Sequence, residues 1–232
     1  MKRRTLSFGT GPLLAGTVLT AAGLKKILAP VPGIDLAEVR VDALLAAKVP
    51  LDVVAAALKR RALLVLLTCR IPAEGGHYSW KAGERADALW TLLPHVEAVD
   101  VELASVKELK TELALARRLG KKIVLSAHAI AKPVPAATLR KWAAALRREK
   151  PDVAKIAARI GTRADLRALA ALLLEGTPQR WAVMGLGVHG ASSRQVFAAL
   201  GSALLYGYLD KPAAPGQPSA QSLRPFRDAF GK

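Results

Sequence analysis

Charged and hydrogen-bonding residues stand at the ends of several apolar runs, where they could assemble into a catalytic site. Lys155 lies within the run 152–157, and a lysine amine in an apolar pocket can attack a carbonyl carbon and form an imine. His128 ends the run 123–127, and a histidine facing that lysine could move protons. Taken singly, each residue has a simpler interpretation, as a lysine reaching water from a strand end or as a structural histidine. The two together favour catalysis.

The same placement of polar residues recurs on neighbouring runs. Residues two apart share a face of a β-strand, because side chains alternate along it. The polar residues that share a face in this way are Glu38 and Arg40, Thr68 and Arg70, Asp100 and Glu102, and Ser126 and His128, and Lys155 shares a face with Val153. Five successive strands that each end in a charged or hydrogen-bonding residue predict one shared polar cavity. Glu74 comes just after the third of the runs, followed by two glycines that could form no more than a turn.

The elements that must position these residues alternate regularly along the chain. Apolar runs rich in Val, Leu and Ile lie near 13–19, 35–41, 62–69, 97–103, 122–128, 152–157, 180–186 and 202–208. Segments with helical spacing of apolar residues follow them, including 105–119, 136–148 and 163–174. Eight strand–helix units without a linker predict one domain over residues 1–232, a (β/α)8 barrel. An open doubly wound sheet is the alternative, but the chain lacks the glycine-rich phosphate loops typical of that fold.

The amino-terminal segment could be read as a secretory signal. Met1 to Arg4 is basic, and an apolar stretch follows over 12–24. Gly16 and Gly23 interrupt that stretch and no clear cleavage site follows, so a buried strand over 13–19 and a cytoplasmic location are the preferred prediction. No apolar run reaches the ~18 residues that cross a membrane. The one cysteine, Cys69, excludes an internal disulfide framework and a multi-cysteine zinc site.

The charge of the chain requires an explanation, because 35 basic and 18 acidic residues give a net charge of +17. A nucleic-acid-binding protein is therefore an alternative function. The basic clusters are scattered, however, and many fall at predicted helix ends, where cations suit the helix dipole. Aromatic residues make up only 5%, too few for base-stacking platforms. We therefore favour a solvated basic surface and expect no specific nucleic-acid partner.

Seven short motifs in order resemble those of one enzyme family. They are Glu38-Val39-Arg40-Val41-Asp42, Arg70 through Gly76, Asp100-Val101-Glu102, Ser126-Ala127-His128, Asp152 through Ala157, Met184 to Arg194, and Ala214-Pro215-Gly216-Gln217. In this order and on the predicted strands, they resemble type I 3-dehydroquinate dehydratase, the Schiff-base dehydratase of the shikimate pathway. Ala213 departs from the family, which often has a serine four residues before the glutamine.

The resemblance implies a role for each residue. Lys155 would form an imine with the C3 ketone of 3-dehydroquinate, and His128 would take the C2 proton and protonate the departing C1 hydroxyl. Glu74 would orient His128, and Arg194 would bind the substrate carboxylate. The substrate-binding residues implied by the resemblance are Glu38, Arg40, Arg70, Arg194 and Gln217. We also expect Arg40 and Arg70 to keep the Lys155 amine neutral by charge repulsion.

The family works without a metal ion or an organic cofactor, so none is expected here. Dimers are common in it, so the resemblance allows a homodimer, although the sequence reveals no interface. Another Schiff-base barrel, such as an aldolase, remains an alternative, since it would share Lys155. Such an enzyme would not need the motifs around Glu74, His128 and Gln217.

Overall fold

The structure is a computed structural model that describes residues 5–9, 11–214 and 216–230. Eight parallel strands form its centre. They are β1 (Leu13–Val18), β2 (Leu36–Arg40), β3 (Leu64–Thr68), β4 (Ala98–Glu102), β5 (Lys122–Ala129), β6 (Val153–Arg159), β7 (Trp181–Leu186) and β8 (Leu204–Tyr208). Hydrogen-bonded neighbours follow the order β7-β6-β5-β4-β3-β2-β1-β8. The amide of Ala203, just before β8, donates to the Trp181 carbonyl at 2.7 Å and brings the last two strands together. The sheet is therefore a nearly closed barrel, as predicted.

Helices connect the strands on the outside of the barrel. They are α1 (Ala21–Lys26), α2 (Val41–Ala46), α3 (Leu51–Arg60), α4 (Glu84–Leu92), α5 (Lys110–Arg118), α6 (Ala136–Arg148), α7 (Arg163–Leu174), α8 (Gly190–Ala199) and α9 (Ala220–Phe230). The predicted helices 136–148 and 163–174 are confirmed. The predicted helix 105–119 is shorter at its start, because Ser105 ends a 3-10 turn and its hydroxyl accepts a hydrogen bond from Arg85 Nη1 at 2.8 Å.

The interior of the barrel changes from apolar to polar along the strands. Its lower layer consists of small and aliphatic side chains, among them Leu36, Leu66, Ala98, Val124 and Val153. Two residues further along each of those five strands stands a buried polar residue, namely Glu38, Thr68, Asp100, Ser126 and Lys155. Because side chains alternate, both sets point inward. The apolar layer thus forms a floor beneath a polar one at the carboxyl ends of the strands.

The amino-terminal apolar stretch forms β1 and α1, which confirms the predicted strand over 13–19, and Val18 and Leu24 in it are buried. Met1 to Arg4 lie outside the described residues. None of the helices in the described part of the chain combines the length and apolar character needed to span a membrane.

Candidate active site

A cavity of about 560 Å³ opens at the carboxyl ends of the barrel strands. All eight site residues named from the sequence line it, and they are Glu38, Arg40, Arg70, Glu74, His128, Lys155, Arg194 and Gln217. They come from strands, from the turn after β3, from α8 and from the loop after β8. The cavity therefore has the position at which (β/α)8 barrels carry active sites.

Lys155 lies deep in this cavity, with only 3% of its surface exposed. Its Nζ donates to Asp100 Oδ2 at 2.8 Å and to Glu38 Oε1 at 3.4 Å, and it lies 4.3 Å from the centre of the Tyr206 ring. Glu38 is itself fixed by two hydroxyls, from Thr17 at 3.1 Å and Thr68 at 3.2 Å. Two carboxylates and one aromatic ring therefore hold the amine in one place.

The structure pairs Arg40 and Arg70 with carboxylates, whereas the predicted charge repulsion on the Lys155 amine assumed unpaired cations. Arg70 donates to Asp100 at 2.9 Å and to Glu102 at 3.0 Å, while both Nε and Nη2 of Arg40 donate to Asp42 at 2.8 Å. Each guanidinium is buried and therefore needs carboxylate partners. The charged groups closest to the amine are consequently carboxylates, not free cations.

Asp100 connects Lys155 to Arg70. Its Oδ1 also accepts a hydrogen bond from the Ser126 hydroxyl at 2.6 Å. Burial alone would raise the pKa of Asp100, but Arg70 and Lys155 hold that pKa well below its usual range. Asp100 is therefore a permanent carboxylate beside the amine. The sequence indicated it as an inward residue without giving it a role.

His128 and Glu74 form a hydrogen-bonded pair above this network, with 2.7 Å between His128 Nδ1 and Glu74 Oε2. Burial, Arg70 and Lys155 together lower the pKa of His128 well below its usual value. Burial raises the pKa of Glu74 to about 7, against the opposing effect of Arg70. Near neutral pH the imidazole is therefore uncharged, and Glu74 can gain or lose a proton.

The protonation of Glu74 can select the role of His128. With Glu74 ionised, Nδ1 carries the hydrogen and Nε2 is free to accept a proton, as a general base. With Glu74 protonated, the carboxyl donates to Nδ1, and Nε2 carries the hydrogen, as in a general acid. The pair can therefore both remove and return a proton at one position.

The two glycines after Glu74 form a turn and also serve the site. Gly75 has φ of 86°, the left-handed conformation that favours glycine, and closes the 3-10 turn Pro72–Glu74. A Cβ on Gly76 would lie 2.3 Å from the Arg70 carbonyl oxygen, so only glycine fits there. Asp42 fixes the end of the turn by accepting from the His77 amide at 3.0 Å. This turn brings the Glu74 carboxyl over His128.

Arg194 differs from the other buried cations of the cavity. Its Nη1 donates to the carbonyls of Gly190 at 2.6 Å and Gly185 at 3.3 Å, and no carboxylate contacts it within the described residues. Its Nε is buried without a partner there. Burial lowers the pKa of Arg194 to about 10, which still leaves the guanidinium charged at neutral pH. It is therefore suited to bind an anion, and a carboxylate fits its planar fork.

Gln217 reaches into the cavity from the loop after β8 and is buried. Its Oε1 accepts from the backbone amide of Ala213 at 2.6 Å, and its Nε2 lies 3.5 Å from Thr17 Oγ1. The Ala213 backbone thus contacts Gln217, although its side chain offers no hydroxyl. Pro215, in the same loop, lies outside the described residues.

Tyr206 on β8 and Arg159 at the end of β6 are among the cavity residues that were missed in the sequence. Arg159 follows Lys155 by four residues, so strand alternation could have placed it on the same face. Tyr206 is buried, and its hydroxyl has no partner in the described part of the chain. Across those residues, no group of three or more His, Cys, Asp or Glu side chains could hold a metal ion.

Comparison with known proteins gives a consistent result. The family model of type I 3-dehydroquinase matches residues 17–231. A 3-dehydroquinate dehydratase of Methanosarcina acetivorans is 31% identical over 199 residues, which cover 80% of this chain and 81% of that protein. One from Hydrogenobaculum sp. is 26% identical over 216 residues, covering 91% of this chain and 96% of that protein.

Solved structures resemble the barrel closely. The crystal structure of 3-dehydroquinate dehydratase from Geobacillus kaustophilus gives a TM-score of 0.83 at 22% identity, over 95% of this chain and 91% of that one. The structure of the enzyme from Aquifex aeolicus gives 0.76 at 24% identity, over 94% and 98% of the two chains. At this identity, these two structures support the (β/α)8 fold.

Proposed function

The chain belongs to the type I 3-dehydroquinase family, and on that premise we propose that it dehydrates 3-dehydroquinate to 3-dehydroshikimate by syn elimination through a Schiff base on Lys155. This reaction is a step of the shikimate pathway and makes the protein a hydro-lyase. One observation carries the proposal: Lys155 is the only lysine among the described residues that line the cavity, and its Nζ is held in place by Asp100 and Glu38.

Substrate binding begins with charge. Arg194 binds the substrate carboxylate, because its guanidinium is buried and, in the described parts of the chain, has carbonyl but no carboxylate partners. Gln217 and Glu38 face the same cavity and supply hydrogen-bonding groups for the ring hydroxyls. Arg40 and Arg70 shape the cavity through their ion pairs with Asp42, Asp100 and Glu102.

Lys155 then attacks the C3 ketone. Attack requires the lone pair of the amine, and the two protons that Nζ gives up leave with the ketone oxygen as water. Asp100, whose Oδ2 lies 2.8 Å from Nζ, stays ionised throughout. Loss of water from the addition product gives a protonated imine at the former position of the amine. Its positive charge stays beside Asp100, so the buried charges remain balanced. The imine withdraws electrons and makes the C2 proton acidic.

His128 carries out the elimination. With Glu74 ionised, His128 Nε2 removes the C2 proton, and the resulting imidazolium protonates the C1 hydroxyl, which leaves as water. One group acting at both carbons accounts for syn stereochemistry. Water then hydrolyses the imine, which releases 3-dehydroshikimate and restores the Lys155 amine. The sum of the steps is the loss of one water molecule from the substrate.

The test is to trap the imine. Borohydride added with 3-dehydroquinate should inactivate the enzyme and add mass only to the peptide that contains Lys155. Without borohydride, the absorbance of the conjugated product should rise. Lys155→Met should abolish both signals, whereas Lys150→Met, at an exposed lysine outside the cavity, should change neither. Labelling of another lysine would contradict the mechanism, and turnover of sugar phosphates would favour the aldolase alternative.

We propose further that the protein acts in the cytoplasm on this small-molecule substrate, without a metal ion or an organic cofactor. Activity should then survive EDTA and dialysis. Nucleic-acid binding should be weak, independent of sequence and lost steeply as salt rises. A homodimer, common in the family, can be tested by sedimentation.

A further inference from the structure

Arg159 is a cation at the mouth of the cavity that the mechanism above does not use. It is the last residue of β6 and shares the inward face with Ala157 and Lys155. It lines the cavity but is exposed, whereas Lys155, four residues earlier, is buried. A Cβ on Gly187 would lie 3.8 Å from both Cγ and Cζ of Arg159, so its side chain runs alongside the turn after β7.

The charge environment of Arg159 differs from that of most other cations in the cavity. Within the described residues, no carboxylate forms an ion pair with Arg159, in contrast to Arg40, Arg70 and Lys155 in the same cavity. Arg194 is the other cavity cation without a carboxylate partner. Among the described residues of the cavity, these are two guanidiniums without a carboxylate partner, Arg194 buried and Arg159 exposed. An anion that approaches from solvent meets Arg159 first.

We propose that Arg159 is an entrance residue, which attracts the carboxylate of the incoming substrate electrostatically and so favours its transfer to Arg194. This inference rests on the proposed function, because it assigns Arg159 to capture of that anionic substrate. A charge at the mouth of a cleft raises the local concentration of an oppositely charged ligand and its association rate. Because Arg159 is exposed, dissolved ions screen its effect.

The test compares kcat/KM at low and high ionic strength for four variants. Arg159→Gln should lower kcat/KM about threefold to tenfold at ~0.01 M salt, and Arg159→Glu should lower it further. At ~0.5 M salt, where the screening length is only a few ångströms, both losses should shrink below about twofold. Arg159→Lys keeps the charge and should retain most of the wild-type value. The loss should appear in KM rather than in kcat, because imine chemistry does not involve Arg159.

Arg148→Gln is the matched control. Arg148 is an exposed arginine in the last turn of α6, outside the cavity, and its replacement removes the same charge. It should leave kcat/KM and its salt dependence unchanged. Equal losses in the Gln and Lys variants of Arg159 at all salt concentrations would show that Arg159 only packs on the turn, and would overturn the inference. So would a loss of the same size in the control.

The two proposals fail in different ways. Wild-type protein that does not convert 3-dehydroquinate would refute the proposed function, and with it this inference. Active wild-type protein with normal kcat/KM in Arg159→Gln would refute the entrance role alone.

Discussion

Replacing Glu74 by glutamine should stabilise the folded protein, and the gain should increase with pH. Burial raises the pKa of Glu74 from 4.5 to about 7, so its ionisation is unfavourable in the folded state. In the unfolded chain the carboxyl ionises near its ordinary value. Folding is therefore assisted by this group when it is neutral, and that assistance is lost as pH rises through about 7. Glutamine has a similar shape and no charge to bury.

The size of the effect follows from the two pKa values. Each pH unit between them corresponds to about 1.4 kcal/mol, so the ionised carboxylate destabilises the folded state by about 3 kcal/mol at pH 9. At pH 5 the folded state keeps Glu74 protonated, and the cost is only about 1 kcal/mol. The advantage of Glu74→Gln over wild type should therefore grow by about 2 kcal/mol between these pH values. The size of this advantage at any single pH also includes the free-energy effect of altering the hydrogen bond to His128.

The assay is urea unfolding of wild type and Glu74→Gln at pH 5 and pH 9. The advantage of Glu74→Gln in free energy of unfolding at pH 5 is subtracted from its advantage at pH 9, which removes contributions that do not depend on pH. His128 contributes equally in both proteins, because its pKa in the folded state is well below the usual value and the imidazole stays neutral. Glu108→Gln, at an exposed position, should have the same stability relative to wild type at both pH values. An advantage of equal size at both pH values would refute the reasoning that burial raises the pKa of Glu74.

Three further substitutions test other parts of the site. Arg194→Gln should raise KM about tenfold to a hundredfold in steady-state kinetics, because the loss of one charged hydrogen bond has an effect of this size. Arg194→Lys should give a KM between those of the wild type and Arg194→Gln. Gln217→Ala should raise KM a few-fold to about tenfold while borohydride still labels Lys155, which peptide mass analysis can verify. Tyr206→Phe removes a buried hydroxyl without a partner in the described residues, so thermal unfolding should show unchanged or slightly increased stability.

The fold was largely predictable because its signals are local. Each of the eight apolar runs named from the sequence is a strand whose ends lie within two residues of the prediction. Strands buried on both faces must be almost wholly apolar, so a polar residue such as Asp100 or Lys155 stands out near the end of a run. Parallel topology then gathers these ends at one side of the barrel. This is why the residues predicted for the site line one cavity.

The pairing of charges was not predictable in the same way. Whether Arg70 contacts Asp100 or repels Lys155 depends on the stagger of neighbouring strands and on side-chain rotamers, which sequence spacing does not specify. The register aligns Thr68 with Asp100 and Ser126 with Lys155, and these alignments bring the guanidinium and the amine to opposite oxygens of one carboxylate. Tyr206 was missed because a single aromatic residue in an apolar run has the pattern of ordinary core.

The charge network beneath the cavity also bears on how the barrel folds. Glu38, Arg70, Asp100, Ser126 and Lys155 belong to β2 through β6 or their ends, yet hydrogen bonds connect all five. A partial barrel that stops at β5 would enclose Glu38 without Lys155, its cation partner, and would leave Asp100 with Arg70 alone. A buried charge without a partner of opposite charge is strongly unfavourable. Half-barrel intermediates should therefore be poorly populated. The side chains gathered for imine chemistry thereby link the five strands into one cooperative folding unit.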